Sequence, residues 1–208
     1  GHALTVRLTD DVPFPYLLLL ASGGHCQILD VQGPGAYRRL GTTRDDAAGE
    51  AFDKTAKLLG LPYPGGPSVE REAQRGNAAR FKLPQPLKGS EGCDFSFSGL
   101  KTAVRREAEK IVDEKGILPA SDRADLCASF QDTMAVCLAD RTGKAADMFL
   151  AHHGASDRPY HLVVAGRGAA NQTPRSRLSA LAENKGMTPT APPFALCTDN
   201  GVLIAWAA

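Results

Sequence analysis

The chain switches hydrophobic period several times, and each switch marks an element. Tyr16 to Ala21 is a short unbroken apolar run, consistent with a strand buried on both faces. Ser22-Gly23-Gly24-His25 interrupts it as a turn. Cys26 to Val31 then reads as a second strand, so the pair predicts a β-hairpin. Tyr37 to Thr42 predicts a third strand. From Ala48 the period lengthens, with Ala48, Ala51, Phe52, Thr55, Ala56, Leu58 and Leu59 recurring near the helical repeat. Asp45 or Asp46 is placed to cap that helix, and Gly60 to stop it.

Residues 1–9 read as the tail of a helix, closed by Asp10, Asp11 and Pro13. Pro62-Tyr63-Pro64-Gly65-Gly66-Pro67 is a stiff, bent loop, and Ser68 to Arg75 a helix with Pro67 near its first position. Residues 77–92, rich in Pro, Gly and Lys, predict a surface loop. Cys93 to Phe97 alternates as a short strand, and Ser98 is placed to cap a helix from Leu100 to Lys115. A second helix is predicted from Ser121-Asp122 towards Leu150, and Tyr160 to Ala165 is a buried strand. Gly166-Arg167-Gly168 bends the chain into a helix over residues 170–183. A loop from Phe194 to Asn200 precedes a final apolar helical segment. With no initiator Met at one end and no helix cap at the other, the expectation is a fragment cut at both ends.

Composition narrows the class. The chain has 208 residues, 43% apolar and 23% charged, which is ordinary for a globular protein. A net charge of +1 argues against a strongly electrostatic nucleic-acid binder but leaves room for a local basic patch. The cysteines are Cys26, Cys93, Cys127, Cys137 and Cys197; five, without a CxxC pair, predict free thiols in a reducing compartment. The longest apolar run is far too short to span a membrane, and no signal-like segment opens the chain.

Candidate chemistry gathers at three glycine-rich turns: Ser22-Gly23-Gly24, Gly65-Gly66, and Gly166-Arg167-Gly168-Ala169-Ala170-Asn171. Where such a turn opens a helix, its free N–H groups and the helix dipole suit a phosphate. Taken singly, each is a weak signal, because most glycine turns only reverse the chain. Asp46, Glu50 and Asp53 form an acidic helix face beside one of them. The plain alternative is a solvated face, since Glu50 with Lys54 and Asp53 with Lys57 have favourable i,i+4 spacing.

AGEAFDKTAKLLGLPYPGGP resembles the signature segment of the TsaD family, the threonylcarbamoyl-transferring tRNA-modification proteins once described as glycoprotein endopeptidases. The resemblance extends from GHALTVRLTDD to CTDNGVLIAWAA. It implies an α/β fold of the actin-like ATPase, ribonuclease-H-like kind, of which this chain forms mainly the second lobe. Residues 1–15 would be a remnant of the first lobe, 16–196 the second lobe, and 197–208 a helix returning towards the first. The three antiparallel strands followed by a helix suit half of such a lobe. Ligand contacts are implied at Leu20, Ala21, Ser22, Gly23 and Gly24, at Asp53, at Gly66 and at Asn171. Asp53 would accept a ribose diol, Gly66 would let backbone pass close, and Asn171 would offer both a donor and an acceptor.

The resemblance also implies one divalent metal, Fe2+ or Zn2+, held by a His-x-x-x-His pair and the Asp of a CTDNG loop. Here those positions are His2 and Asp199, the first His of the pair lying before Gly1. His152 and His153 are adjacent and read as surface residues, not ligands. Arg167 departs from the family pattern, standing where the turn normally carries Gly. An Arg there would either add a phosphate contact or obstruct a turn that needs positive φ.

The function implied is transfer of a threonylcarbamoyl group from threonylcarbamoyl-AMP to N6 of the adenosine 3′ of a tRNA anticodon. This chain alone is expected to be inactive. Expected partners are the adenylate or an adenine nucleotide, tRNA, and TsaB-like and TsaE-like subunits, with no membrane. The expected location is the cytoplasm, or the mitochondrial matrix for an organellar form. A metallopeptidase is the first alternative, although no HExxH motif occurs. The second is a nucleotide-binding subunit of the same superfold without transfer activity.

Overall fold

The structure, a computed structural model, describes residues 4–166 and 171–192. Its centre is β1 (Tyr16–Ala21), whose side chains are buried except for a partly exposed Leu20. β2 (Cys26–Gly33) pairs antiparallel with β1, Ala21 opposite Cys26 and Tyr16 opposite Val31, which confirms the hairpin. β3 (Ala36–Thr42) extends the sheet antiparallel to β2, while β4 (His161–Ala165) and β5 (Thr188–Thr190) add parallel strands on the other side. The order β3-β2-β1-β4-β5 is that of a ribonuclease-H-like lobe, as expected.

A short α1 (Val6–Thr9) precedes the sheet. α2 (Ala48–Leu58), α3 (Gly65–Ala73), α4 (Ser98–Lys115), α5 (Ala120–His153) and α6 (Gln172–Asn184) complete the set. Alternation along β1 divides the core. Leu17 and Leu19 join Ile28, Phe52, Phe130 and Phe149 under the helices, and Tyr16 and Leu18 join Val6, Val12 and Val163 on the other face. A strand covered on both sides must be apolar throughout, which is the pattern of YLLLLA.

Several local expectations change. Neither Asp45 nor Asp46 caps α2, whose N-cap is Ala47. Instead Asp45 accepts the N–H groups of Phe97 (2.7 Å) and Ser98 (3.2 Å), so it caps α4 from a distant part of the chain. Ser98 is therefore the first residue of α4 and donates its hydroxyl to Asp45 at 2.8 Å. Cys93, Phe95 and Phe97 are buried in alternation, yet the segment makes only an isolated bridge, Thr43 with Phe95. α3 begins at Gly65, not Ser68, and α5 runs to His153.

The loop 77–92 is pinned as well as exposed. The buried Arg141 guanidinium donates to the carbonyls of Ser90 (2.9 Å) and Gly92 (3.1 Å). Among the described residues no helix is long and apolar enough to cross a membrane.

Candidate functional site at the glycine end of the sheet

β1 and β4 run parallel, so their carboxyl ends leave the sheet together, and the turn from Ser22 to Gly24 sits at that edge. Such an edge is where open α/β sheets bind ligands. Ser22 closes the turn: its N–H donates to the His25 carbonyl at 2.7 Å, and its Oγ accepts the His25 N–H at 3.0 Å. Ser22's own N–H is thereby consumed. Among the described residues the N–H groups of Gly23 and Gly24 have no acceptor. Both residues are exposed, and a Cβ on either would meet nothing within 4 Å.

Around them lie glycines of the opposite kind. A Cβ on Gly49 would stand 2.8 Å from the Ser22 carbonyl oxygen, and one on Gly166 would stand 2.4 Å from that of Ala21. Gly49 thus lets α2 press on the turn, its N–H donating to the Ser22 carbonyl at 3.2 Å. Gly166, at φ +95°, lets the end of β4 press on the end of β1. Closed glycines build the edge, and open glycines face outward from it.

α2 and α3 meet through Asp53. Its Oδ1 accepts the N–H of Gly65 at 2.7 Å, so a side chain on α2 caps α3. This explains why α3 starts at Gly65. Asp53 makes no ion pair with Lys57 among the described residues, against the i,i+4 expectation. Lys54 does pair with Glu50, at 2.8 Å, and also with Asp46, at 2.7 Å. A Cβ on Gly66 would meet nothing within 4 Å, leaving this residue open at the first turn of α3. Leu20 and Ala21 lie within β1, Leu20 half-buried and Ala21 buried.

Asn171 is buried and is the N-cap of α6; its Oδ1 accepts the Thr173 N–H at 3.0 Å. Its Nδ2 donates to Gln131 Oε1 at 2.6 Å, and Gln131 Nε2 donates to Thr173 Oγ1 at 2.7 Å. The side chain expected to face a nucleoside is therefore tied into an internal network.

His2, Asp199 and Arg167 lie outside the described residues. One imidazole and one carboxylate are donor types that fit a divalent transition metal. Among the described residues, Asp46 Oδ2 is the only buried carboxylate oxygen without a partner. His152 is exposed, in keeping with the surface reading, but His153 corrects it. His153 is half-buried against Phe149 and Tyr160, and its Nε2 lies 3.0 Å from Oδ1 of the buried Asp30. Donor atoms of Asp30, His152 and His153 all fall within 4.8 Å of one another, a donor set able to hold a metal ion. Asp30 Oδ2 is shared with Arg38 (3.2 Å from Nε) and Gln32 (3.1 Å), and a metal there would compete with that guanidinium. Adjacent His residues point apart along most of a helix, but these two end α5 and share its terminus.

The four described cysteines are free and buried, and burial pushes the thiols of Cys26 and Cys127 up to about 12 and that of Cys137 to about 11. None of these three is poised as a nucleophile.

A family profile described as TsaD, tRNA N6-adenosine threonylcarbamoyltransferase, matches residues 1–206. The chain belongs to the TsaD family. It is 62% identical over 206 residues to the tRNA N6-adenosine threonylcarbamoyltransferase of Rhodospirillum rubrum, covering 99% of this chain and 56% of that protein. Proteins of the same description from Brucella anthropi and Rhizobium meliloti are each 58% identical over 207 residues, covering 100% of this chain and 56% of theirs. The TsaD chain thus spans about half the length of these curated relatives. Among solved structures, component A of the Acidaminococcus fermentans (R)-2-hydroxyglutaryl-CoA dehydratase covers 94% of this chain and 61% of its own, at 16% identity and a TM-score of 0.46.

Proposed function

We propose that the whole protein transfers the threonylcarbamoyl group of threonylcarbamoyl-AMP to N6 of the adenosine 3′ of the anticodon in tRNA. The observation that carries this reading is a TsaD match over residues 1–206, joined to an open glycine turn at the carboxyl end of β1. In the reaction the adenosine amine attacks the carbamoyl carbon. A C–N bond forms, the bond from that carbon to the phosphate oxygen breaks, AMP leaves, and N6 gives up a proton.

No side-chain nucleophile is needed. The free N–H groups of Gly23 and Gly24 suit the adenylate phosphate, with Leu20, Ala21 and Ser22 holding the turn in place. Asp53 takes the ribose diol with its second oxygen while its first caps α3. Gly66 lets the nucleoside approach, and Asn171 orders the start of α6 beneath it. His2 and Asp199 would hold one divalent metal, Fe2+ or Zn2+, which supplies Lewis-acid polarisation of the acyl phosphate. The domain division at residues 15/16 and 196/197 belongs to this reading, as do TsaB-like and TsaE-like partners and a cytoplasmic or mitochondrial-matrix location.

Incorporation of labelled threonine into unmodified tRNA by the whole protein with its partner subunits tests the proposal. Label retained in N6-modified adenosine is expected. Adenylate binding without incorporation would leave only a nucleotide-binding subunit, and cleavage of a glycoprotein in its place would favour the peptidase alternative.

A further inference from the structure

Tyr63 is 75% exposed, the most exposed large hydrophobic residue among those described. Burial of an aromatic ring is favourable, so a ring held this far out has a mechanical cause. Pro62 and Pro64 restrict the backbone on either side of it. The loop is also fastened to α2 at both ends. The Leu61 N–H donates to the Ala56 carbonyl at 2.8 Å, and the Gly65 N–H donates to Asp53 Oδ1 at 2.7 Å. The ring therefore stands on a rigid support at little cost in conformational entropy on binding.

The ring lines a cavity of about 370 Å³ together with Asp53, Lys54, Lys57, Leu61 and Pro62. Lys57 is exposed and makes no ion pair among the described residues. Gly49, Asp53 and Lys57 are spaced four apart, so they form one ridge of α2 running from the glycine turn to this cavity. Eight residues of helix separate its ends by roughly 12 Å. A ligand with its phosphate on Gly23 and Gly24 and its ribose on Asp53 reaches the middle of the ridge and leaves Lys57, one turn further on, for another group.

An exposed ring beside an uncompensated ammonium is the combination that binds single-stranded nucleic acid, the ring stacking on a base and the cation meeting phosphate. Resting on the functional reading above, we propose that Tyr63 is a stacking platform for an unpaired nucleobase of the tRNA anticodon loop beside the acceptor adenosine. Lys57 meets the adjoining phosphate.

The test uses the whole protein, a fluorescent anticodon stem-loop carrying the unmodified adenosine, and an adenine nucleotide as separate ligands. Tyr63→Ala is expected to weaken stem-loop binding by about tenfold or more. Tyr63→Trp restores it, and both variants keep nucleotide affinity within about twofold of the parent. Lys57→Ala lowers the salt dependence of stem-loop binding by about one phosphate contact. Unchanged stem-loop affinity in Tyr63→Ala, with the parent active in transfer, overturns the platform alone. Weakened nucleotide binding would assign the ring to the adenylate, and lost transfer with intact RNA affinity would assign it to a protein partner; either overturns the proposal. A parent that neither binds the stem-loop nor transfers overturns the functional reading, and the platform with it.

Discussion

The two ends of the sheet solve different problems with different residues. At the carboxyl end of β1, closed glycines bring backbones together while Gly23, Gly24 and Gly66 leave space that nothing in the described residues fills. At the other end, Asp30 of β2 stands opposite Leu17 and is fully buried, with Arg38 at 3.1 Å and His153 at 3.0 Å satisfying it. One end presents unpaired N–H groups to solvent, as a ligand site requires. The other spends its charges on one another, as a structural pair does. The difference teaches where to look: chemistry sits where polar groups are left unpaired by construction, and stability where they are not.

Removing Asp30 should have the largest effect. Asp30→Ala removes the hydrogen bonds that Arg38 and His153 share with the buried carboxylate and is expected to cost about 1.5–3 kcal/mol in chemical denaturation. Adenine-nucleotide affinity should not change. A large loss of affinity with intact stability would erase the contrast between the ends.

At the glycine end the order reverses. Asp53→Ala is expected to weaken adenine-nucleotide binding by about 1.5–3 kcal/mol in calorimetry. Stability falls by only about 1 kcal/mol, from loss of the α3 cap. Unchanged affinity would reduce Asp53 to that cap. Asp53→Asn sharpens the reading, because the amide oxygen can still accept the Gly65 N–H while the charge is gone.

The two kinds of glycine can be set against each other. Gly49→Ala places a Cβ 2.8 Å from the Ser22 carbonyl and 2.9 Å from Gly23 Cα, so the turn must move. A stability loss of about 1–3 kcal/mol is expected, with weaker nucleotide binding. Gly23→Ala enters open space and should cost under about 0.5 kcal/mol while still impairing the ligand. Equal stability losses in thermal unfolding would mean that the open and closed classes do not differ.

Asp45 gives an effect confined to stability and to pH. Burial raises its carboxyl, but hydrogen bonds from Ser96, Phe97 and Ser98 outweigh that and hold it below the ordinary 3.8. A carboxyl lowered by folding stabilises above its unfolded value, and the contribution is lost as pH falls from 3.8 through the folded value. The group is exposed, so solvent screens it, and Asp45→Ala should cost about 1 kcal/mol at neutral pH as a lost cap. The cost should shrink in acid. A penalty constant from pH 7 to pH 3 would contradict the assignment.

How legible these features were from sequence depends on the separation of the partners. β1 and α2 announce themselves through local periodicity, and the glycine turn through its residues. The α3 start was hidden because its cap comes from Asp53, twelve residues earlier. Asp45 and Asp46 both stand where a cap of the nearest helix belongs, whereas the partners of Asp45 lie 52 and 53 positions away. His153 looked like a surface residue because Asp30 is 123 positions distant. β5 escaped notice: Thr-Pro-Thr is short, carries a proline, and is a strand because β4 lies beside it. The site residues themselves came from the family signature, which residue types alone could not have distinguished from a solvated helix face.

The central claim is that ligand binds at the glycine end and not at the charged end. Amide hydrogen exchange of the whole protein, with and without an adenine nucleotide, tests it most directly. Slowed exchange is expected at residues 22–26 and 65–68, with residues 28–33 and 150–161 unaffected. Protection confined to the segments around Asp30 and His153, with Gly23, Gly24 and Gly66 exchanging as before, would contradict it.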